Sequence, residues 1–323
     1  MTDPTRREQA VLAEVVRSGF VEGRHRGSVV VLSPSGHVRL DLGDTTTAVL
    51  PRSCNKPLQA VAMVRLGLDL PSDLLALACA SHSGEGFHAE GVRRILAGAG
   101  LTESALRTPP DWPLDETARE AAIRSGAVRS PVLMNCSGKH AAMLATCVLN
   151  GWDVGTYTDR DHPLQVAIAA SFAELIGAPI VAVGVDGCGA PLFSASLREL
   201  AGAFGRVATA PPATPEGLVA AAIRQHPAHV SGTTRDEARL LRGLPGAIAK
   251  AGAEACYALA MRDGTAIALK VEDGAARARP VVMAAVLRVL GIDNPVVDEL
   301  AATPVLGGGA AVGEIRAALA VDG

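Results

Sequence analysis

Runs of β-forming residues stand near the two ends of this chain, and most of what lies between them reads as helix. A sheet in such a chain has to be assembled from both ends, with the helices inserted in the connection. Towards the N-terminus, GSVVVL from Gly27 and HVRLDL from His37 flank the turn composition Ser33-Pro34-Ser35-Gly36. Towards the C-terminus, CYALAM from Cys256 and TAIALKV from Thr265 are joined by Arg262-Asp263-Gly264, an Asp-Gly turn signal. Residues Arg7 to Ser18 are expected to lead in as a helix. Further helices are expected over Ser53–Leu66, Asp73–Ala80 and Ala89–Ala99, from Asn135 to about Leu149, and on both sides of the proline-rich linker Ala208–Pro215. Asp161-His162-Pro163 should open another, with Asp161 as N-cap, and Pro280–Leu290 a last one. Leu101–Arg129 reads as loop, and Pro179 to Val185 as a buried strand that stops at Asp186. The expected fold is α/β (mixed α+β): a mixed sheet built from both chain ends with helices around it. The 323 residues suit one domain or two closely packed lobes.

Composition excludes several classes. Hydrophobic residues make up 49% and charged residues 20%, so a large core is available. The net charge of -3, the absence of a basic block and 3% aromatics argue against a nucleic-acid partner. No apolar run approaches the length of a membrane span or of a signal peptide's apolar region, so a cytoplasmic location is the expectation. Cysteines at 54, 79, 136, 147, 188 and 256 include no C-x-x-C pair, which suits reduced thiols. Of the 30 basic residues only Lys56, Lys139, Lys250 and Lys270 are lysines. Where arginine serves as the general cation, a lysine stands out, because only lysine gives up its proton readily when desolvated or crowded by charge.

Four short segments carry reactive groups. In Arg52-Ser53-Cys54-Asn55-Lys56, Ser53 and Lys56 stand at i and i+3 of the expected helix start. A serine becomes a nucleophile when a neighbouring base takes its proton, and a helix start offers N–H donors to a developing oxyanion. The plain alternative is an N-cap serine followed by a solvated lysine. Cys79-Ala80-Ser81-His82-Ser83-Gly84-Glu85 gathers hydroxyls, imidazole and carboxylate at a helix end, where caps and turns use the same residues. Asn135-Cys136-Ser137-Gly138-Lys139-His140 puts Cys136 and Lys139 on one helical face without the spacing of a phosphate loop. Asp186-Gly187-Cys188-Gly189-Ala190-Pro191 ends the expected strand, either as a plain turn or lining a site.

Together, RSCNKPLQA, CASHSGE, NCSGKHAAML and DGCGAP, in this order, resemble the rhizobial-type (class 3) L-asparaginases over most of the chain, from about Val21 to the Val271–Gly274 segment. The resemblance implies a fold like that of serine β-lactamases and penicillin-binding enzymes. It implies Ser53 as nucleophile with Lys56 as its base, and Ser81 coupled to Lys250 as a second catalytic pair. Arg52, His82, Lys139 and Asp186 would contact the substrate, with Asp186 on its amino group. A modulatory zinc ion would be held by Cys136, Lys139 and Cys188, with no organic cofactor. Zinc would need Lys139 neutral. The partner implied is L-asparagine, with no nucleic acid and no membrane, and the assembly a homodimer. Gly189 stands where the family commonly has asparagine after DGC, which would widen the pocket or remove a polar contact.

The activity expected is hydrolysis of L-asparagine to L-aspartate and ammonia through a Ser–Lys acyl-enzyme. Two other readings stay open: a β-lactamase-like serine hydrolase or acyltransferase on another amide or ester, and a non-catalytic zinc- or amino-acid-binding protein. Two serine–lysine pairs weigh against the last, since binding alone does not call for deprotonable lysines.

Overall fold

A computed structural model describes residues 7–319. Its strands are β1 (Ala10–Arg17), β2 (Phe20–Leu32), β3 (Val38–Leu42), β4 (Val183–Val185), β5 (Pro191–Phe193), β6 (Ile248–Ala251), β7 (Cys256–Ala260), β8 (Ala266–Val271), β9 (Ala302–Gly307) and β10 (Ala310–Ala317). Its helices are α1 (Lys56–Arg65), α2 (Ser72–Ala78), α3 (Gly86–Gly98), α4 (Glu116–Arg124), α5 (Ser137–Leu149), α6 (Pro163–Ile176), α7 (Leu197–Thr209), α8 (Pro215–Gln225), α9 (Pro227–Val230), α10 (Asp236–Gly243), α11 (Arg279–Val289) and α12 (Pro295–Leu300). Among the described residues eight strands form one sheet in the order β6-β7-β8-β2-β1-β10-β9, with β3 also on β2. The sheet is thus built from both chain ends, as expected, and every one of its described ladders is antiparallel. No described helix is long and apolar enough to cross a membrane.

Three expectations are corrected. The helix expected over Arg7–Ser18 is strand β1, paired with β2 on one side and β10 on the other. Its buried Leu12, Ala13, Val15 and Val16 satisfy a helical spacing as well as a strand with a bulge, and the ladder partners decide. The apolar run before Asp186 is no buried strand. It yields only β4, paired with β5 in a two-stranded hairpin, and Val181 and Val185 are 78% and 80% exposed. The loop expected up to Arg129 holds α4, which buries no side chain. The hairpin β9–β10 was not foreseen. It turns at Gly308 and Gly309, both at positive φ, and its Pro304 lies on the edge strand, where a missing N–H costs least.

Strand β2 pairs with β1 through its first half and with β8 and β3 through its second. The change of partners falls at Gly27, where a Cβ would lie 2.2 Å from the Lys270 carbonyl oxygen and 2.8 Å from Leu12. Helix α7 packs on β2, β7 and β8, and α11 on β1, β8 and β10. Beyond α7, helix α1 is enclosed by α2, α5, α6 and α8, and every residue from Lys56 to Met63 is buried. A lysine opening so enclosed a helix cannot be a surface cation.

Candidate active site

Four chain segments expected to carry chemistry meet where α1 begins. Arg52–Asn55 forms a 3-10 turn leading into α1, and Ser53 is buried there. The residue before α1 is Asn55, and no side chain caps the helix, so the N-cap role expected of Ser53 is not what the turn does. Asn55 instead donates its side-chain amide to the Phe193 carbonyl of β5 at 2.8 Å. The Cys54 thiol donates to the Lys250 carbonyl of β6 at 3.1 Å. Just past β6, a Cβ on Gly252 would sit 2.5 Å from the Pro51 carbonyl oxygen and 3.3 Å from the Cys54 sulfur. Glycine is what lets the sheet edge close on the serine turn.

Lys56 is 1% exposed. Its Nζ donates to the Ala80 carbonyl at 2.5 Å, to Ser81 Oγ at 3.0 Å and to Cys136 Sγ at 3.1 Å. The solvated-lysine reading is excluded. The pairing differs from the one expected: Lys56 holds Ser81, and no hydrogen bond joins it to Ser53 among the described residues. Lys250, expected on Ser81, instead donates to Glu237 at 2.7 Å and to the Ala251 carbonyl at 2.8 Å. The two lysines nonetheless approach the same serine-bearing loops from α1 and β6, and burial, joined by the Lys56 charge, lowers the Lys250 pKa.

Ser81 is placed by its own N–H on the Val230 carbonyl, and His82 by its N–H on the Asn135 carbonyl. His82 is fully buried, and burial pulls its pKa well below the ordinary value, so the ring is neutral. Ser137 donates its hydroxyl to the Val132 carbonyl, so His82 Nε2 must carry the hydrogen it shares with Ser137 Oγ at 2.8 Å. His82 therefore ties the Ser81 loop to the start of α5, where Cys136 and Lys139 stand.

Lys139 donates to Cys188 Sγ at 3.3 Å. Burial opposes its charge, but the Cys188 and Cys136 sulfurs and the Asp186 carboxylate outweigh burial and raise its pKa. The neighbouring Cys136 thiol and the Lys139 charge hold the Cys188 pKa well below that of a free thiol, while the Cys136 S–H itself lies 3.1 Å from the Asn135 side-chain oxygen. The Cys188 sulfur and desolvation push Cys136 up, so the negative charge of the pair falls on Cys188. Among the described residues no group of three or more His, Cys, Asp or Glu side chains could hold a metal ion. The mixed set of two thiols and the Lys139 amine remains. Beside it, His140 donates or accepts at Tyr157 through Nδ1 at 2.7 Å, while its buried Nε2 has no hydrogen-bond partner. This donor set suits zinc in type, provided Lys139 and Cys136 release their protons.

Asp186 accepts from Arg52 Nε at 2.8 Å, and Arg52 also faces Glu254 at 3.8 Å. Sequence reasoning missed Glu254 and Glu237, because neither stands in a recognisable spacing with its partner. It also missed backbone strain. Of the four described non-glycine residues at positive φ, three surround Ser53: Arg52 at 54°, Glu254 at 55° and Ala255 at 48°. Such conformations cost about 1–3 kcal/mol each and gather at functional sites.

The sequence pattern of the L-asparaginase II family matches residues 13–317. No curated protein matches the chain. Among solved structures, a β-lactamase from Mycobacterium bovis is similar at 15% identity and a TM-score of 0.41, covering 81% of this chain and 94% of that one. The native form of Mglu is similar at 14% identity and a TM-score of 0.44, over 84% of this chain and 66% of that one. A Bacillus glutaminase is similar at 11% identity and a TM-score of 0.38, over 82% and 91% of the two chains.

Proposed function

Because the chain belongs to the L-asparaginase II family, whose members are amidohydrolases acting on small amides, we propose that it hydrolyses L-asparagine to L-aspartate and ammonia with Ser53 as nucleophile. The observation that carries this reading is the enclosed lysine: Lys56, 1% exposed, opens α1 directly after the strained serine turn and holds the hydroxyl of a second serine. Lys139 and Asp186 add complementary charges for the carboxylate and amino groups of an amino acid, and Arg52 fixes the Asp186 carboxylate.

In the proposed reaction Ser53 Oγ attacks the side-chain amide carbon. Lys56, in its neutral form, takes the hydroxyl proton, with Ser81 Oγ as the group that bridges to it. A neutral amine has two N–H donors, enough for Ala80 and Cys136, and turns its lone pair to Ser81. Backbone N–H groups of the serine turn stabilise the oxyanion. The carbon–nitrogen bond breaks as the proton passes to the leaving nitrogen, and ammonia departs. Water then attacks the acyl-enzyme, aspartate leaves, and Ser53 recovers its proton. Cys136, Lys139 and Cys188 would hold a zinc ion; Lys139 would then give up its charge, and the ion would supply in its place the positive charge that faces the substrate. A homodimer is part of the same reading.

The test is ammonia release from L-asparagine, with L-glutamine in parallel, by wild type and Ser53→Ala. Turnover on asparagine that collapses in the variant supports the reading. Wild type inert on both amides, with and without zinc, would turn the assignment to another acyl substrate, for which a chromogenic β-lactam is the first probe.

A further inference from the structure

Glu237 and Lys250 form an ion pair that solvent does not reach, both side chains fully buried with Nζ and Oε1 2.7 Å apart. Such a pair contributes little net stability compared with apolar packing of the same volume. The other carboxylate oxygen, Oε2, is buried and has no hydrogen-bond partner, so Lys250 is what holds Glu237 in place. Lys250 in turn uses one further donor on the Ala251 carbonyl.

The groups facing Lys250 come from every element around it. Burial pulls the Lys250 pKa down and Glu237 opposes it, while Arg235 ahead of α10 and, whenever it carries its proton, Lys56 of α1 add to the fall. Cys54 of the serine turn and Cys79 after α2 are thiols whose pKa values burial pushes up, that of Cys79 to about 12, so neither supplies negative charge. Tyr257 of β7, near Glu237, is likewise kept neutral by burial. Glu237 is the carboxylate that balances the charge on Lys250.

We propose that Glu237 is a positioning residue for the amide hydrolysis, holding Lys250 as an ammonium so that Lys250 acts as a fixed positive charge behind the serine turn rather than as a second base. Lys56 and Lys250 then divide the work: one moves the proton, the other stabilises the negative charge that develops on the substrate oxygen. The role in turnover rests on the reading of Ser53 given above. The coupling of Glu237 to the charge of Lys250 does not.

The experiment compares wild type, Glu237→Gln and Glu237→Asp as full chains, by the pH dependence of kcat/KM on L-asparagine and of Tm. Without the carboxylate, Lys250 should lose its proton at lower pH. The alkaline limb of kcat/KM should then move down by at least about one unit, a tenfold loss relative to wild type at alkaline pH that narrows towards acid pH. Glu237→Asp, whose carboxylate is one methylene shorter, should move the limb the same way by a smaller step. In Glu237→Gln the folded chain holds one proton fewer than the unfolded chain, so its Tm should climb with pH relative to wild type. A uniform loss of activity with an unchanged pH profile and parallel Tm curves would reduce Glu237 to a structural residue. If Glu237→Gln does not fold, Glu237→Asp carries the comparison through a smaller shift in the same direction, and an unmoved limb overturns the proposal. If wild type hydrolyses neither amide, the reading of Ser53 fails, while the Tm curves still decide whether Glu237 governs the charge of Lys250.

Discussion

Ser53 and Lys56 were both visible in the sequence, but not what each touches. The i, i+3 spacing suggested a direct bond, and the structure gives Lys56 three other partners, one of them Ser81. The 3-10 turn that carries Ser53 does not separate the two, since i and i+3 eclipse there; what draws Lys56 away is that the Ala80 carbonyl, Ser81 Oγ and Cys136 Sγ take its three donors. Replacing Ser53 by alanine should leave Tm nearly unchanged, since its hydroxyl caps nothing, and lower kcat by about 10³-fold or more, measured as ammonia release. The thiol pair gives a second outcome. Zinc added to metal-free protein should raise Tm in wild type and not in Cys136→Ser or Cys188→Ser, and protons should be released on binding because Lys139 and Cys136 both carry one beforehand. An equal Tm shift in the variants would remove the metal site.

Two contacts between elements hold the site together. The end of β6 meets the serine turn at Gly252, so Gly252→Ala forces a methyl against the Pro51 carbonyl. It should cost about 1–3 kcal/mol in denaturant unfolding and lower kcat, because the same shift moves Ser53. The second contact is the imidazole stack between the Ser81 loop and α3, where His82 and His88 lie 5.0 Å apart. Burial depresses both, His88 to about 4. Histidines whose folded pKa is depressed hold fewer protons in the folded chain than in the unfolded one. Stability is then fully present above pH 6.5 and is lost as pH falls from there towards 4. His88 alone accounts for roughly 3 kcal/mol over that interval. Thermal melts between pH 7.5 and about 4.5 should show the fall, and His88→Gln should flatten it. A fall that is as steep in the variant would show that other groups drive it.

At the scale of the whole molecule, the sheet joins the two ends of the chain and the site lies against its β6 edge. The plan of the fold was legible, because β-forming runs near both termini can only be satisfied by pairing across the helical middle. The GSVVVL and CYALAM–TAIALKV segments do meet, β2 on β8 and β8 on β7. The outer strands were not legible. In β1 the apolar residues fit both a helical and a bulged-strand spacing, and β9 offers too little apolar sequence to declare itself, so their state depends on partners far away in the chain. What the sequence by itself determined is the chemistry available: serines and lysines set among arginines, thiols at 136 and 188, and glycines where backbone must pass close. What only the tertiary structure decided is which lysine bonds which serine, that Glu237 pairs with Lys250, and that Arg52, Glu254 and Ala255 are held in strained backbone near Ser53. Local spacing specifies neighbours within a turn or two, whereas burial, counter-charge and strain arise only when segments separated by up to some two hundred residues are packed into one place.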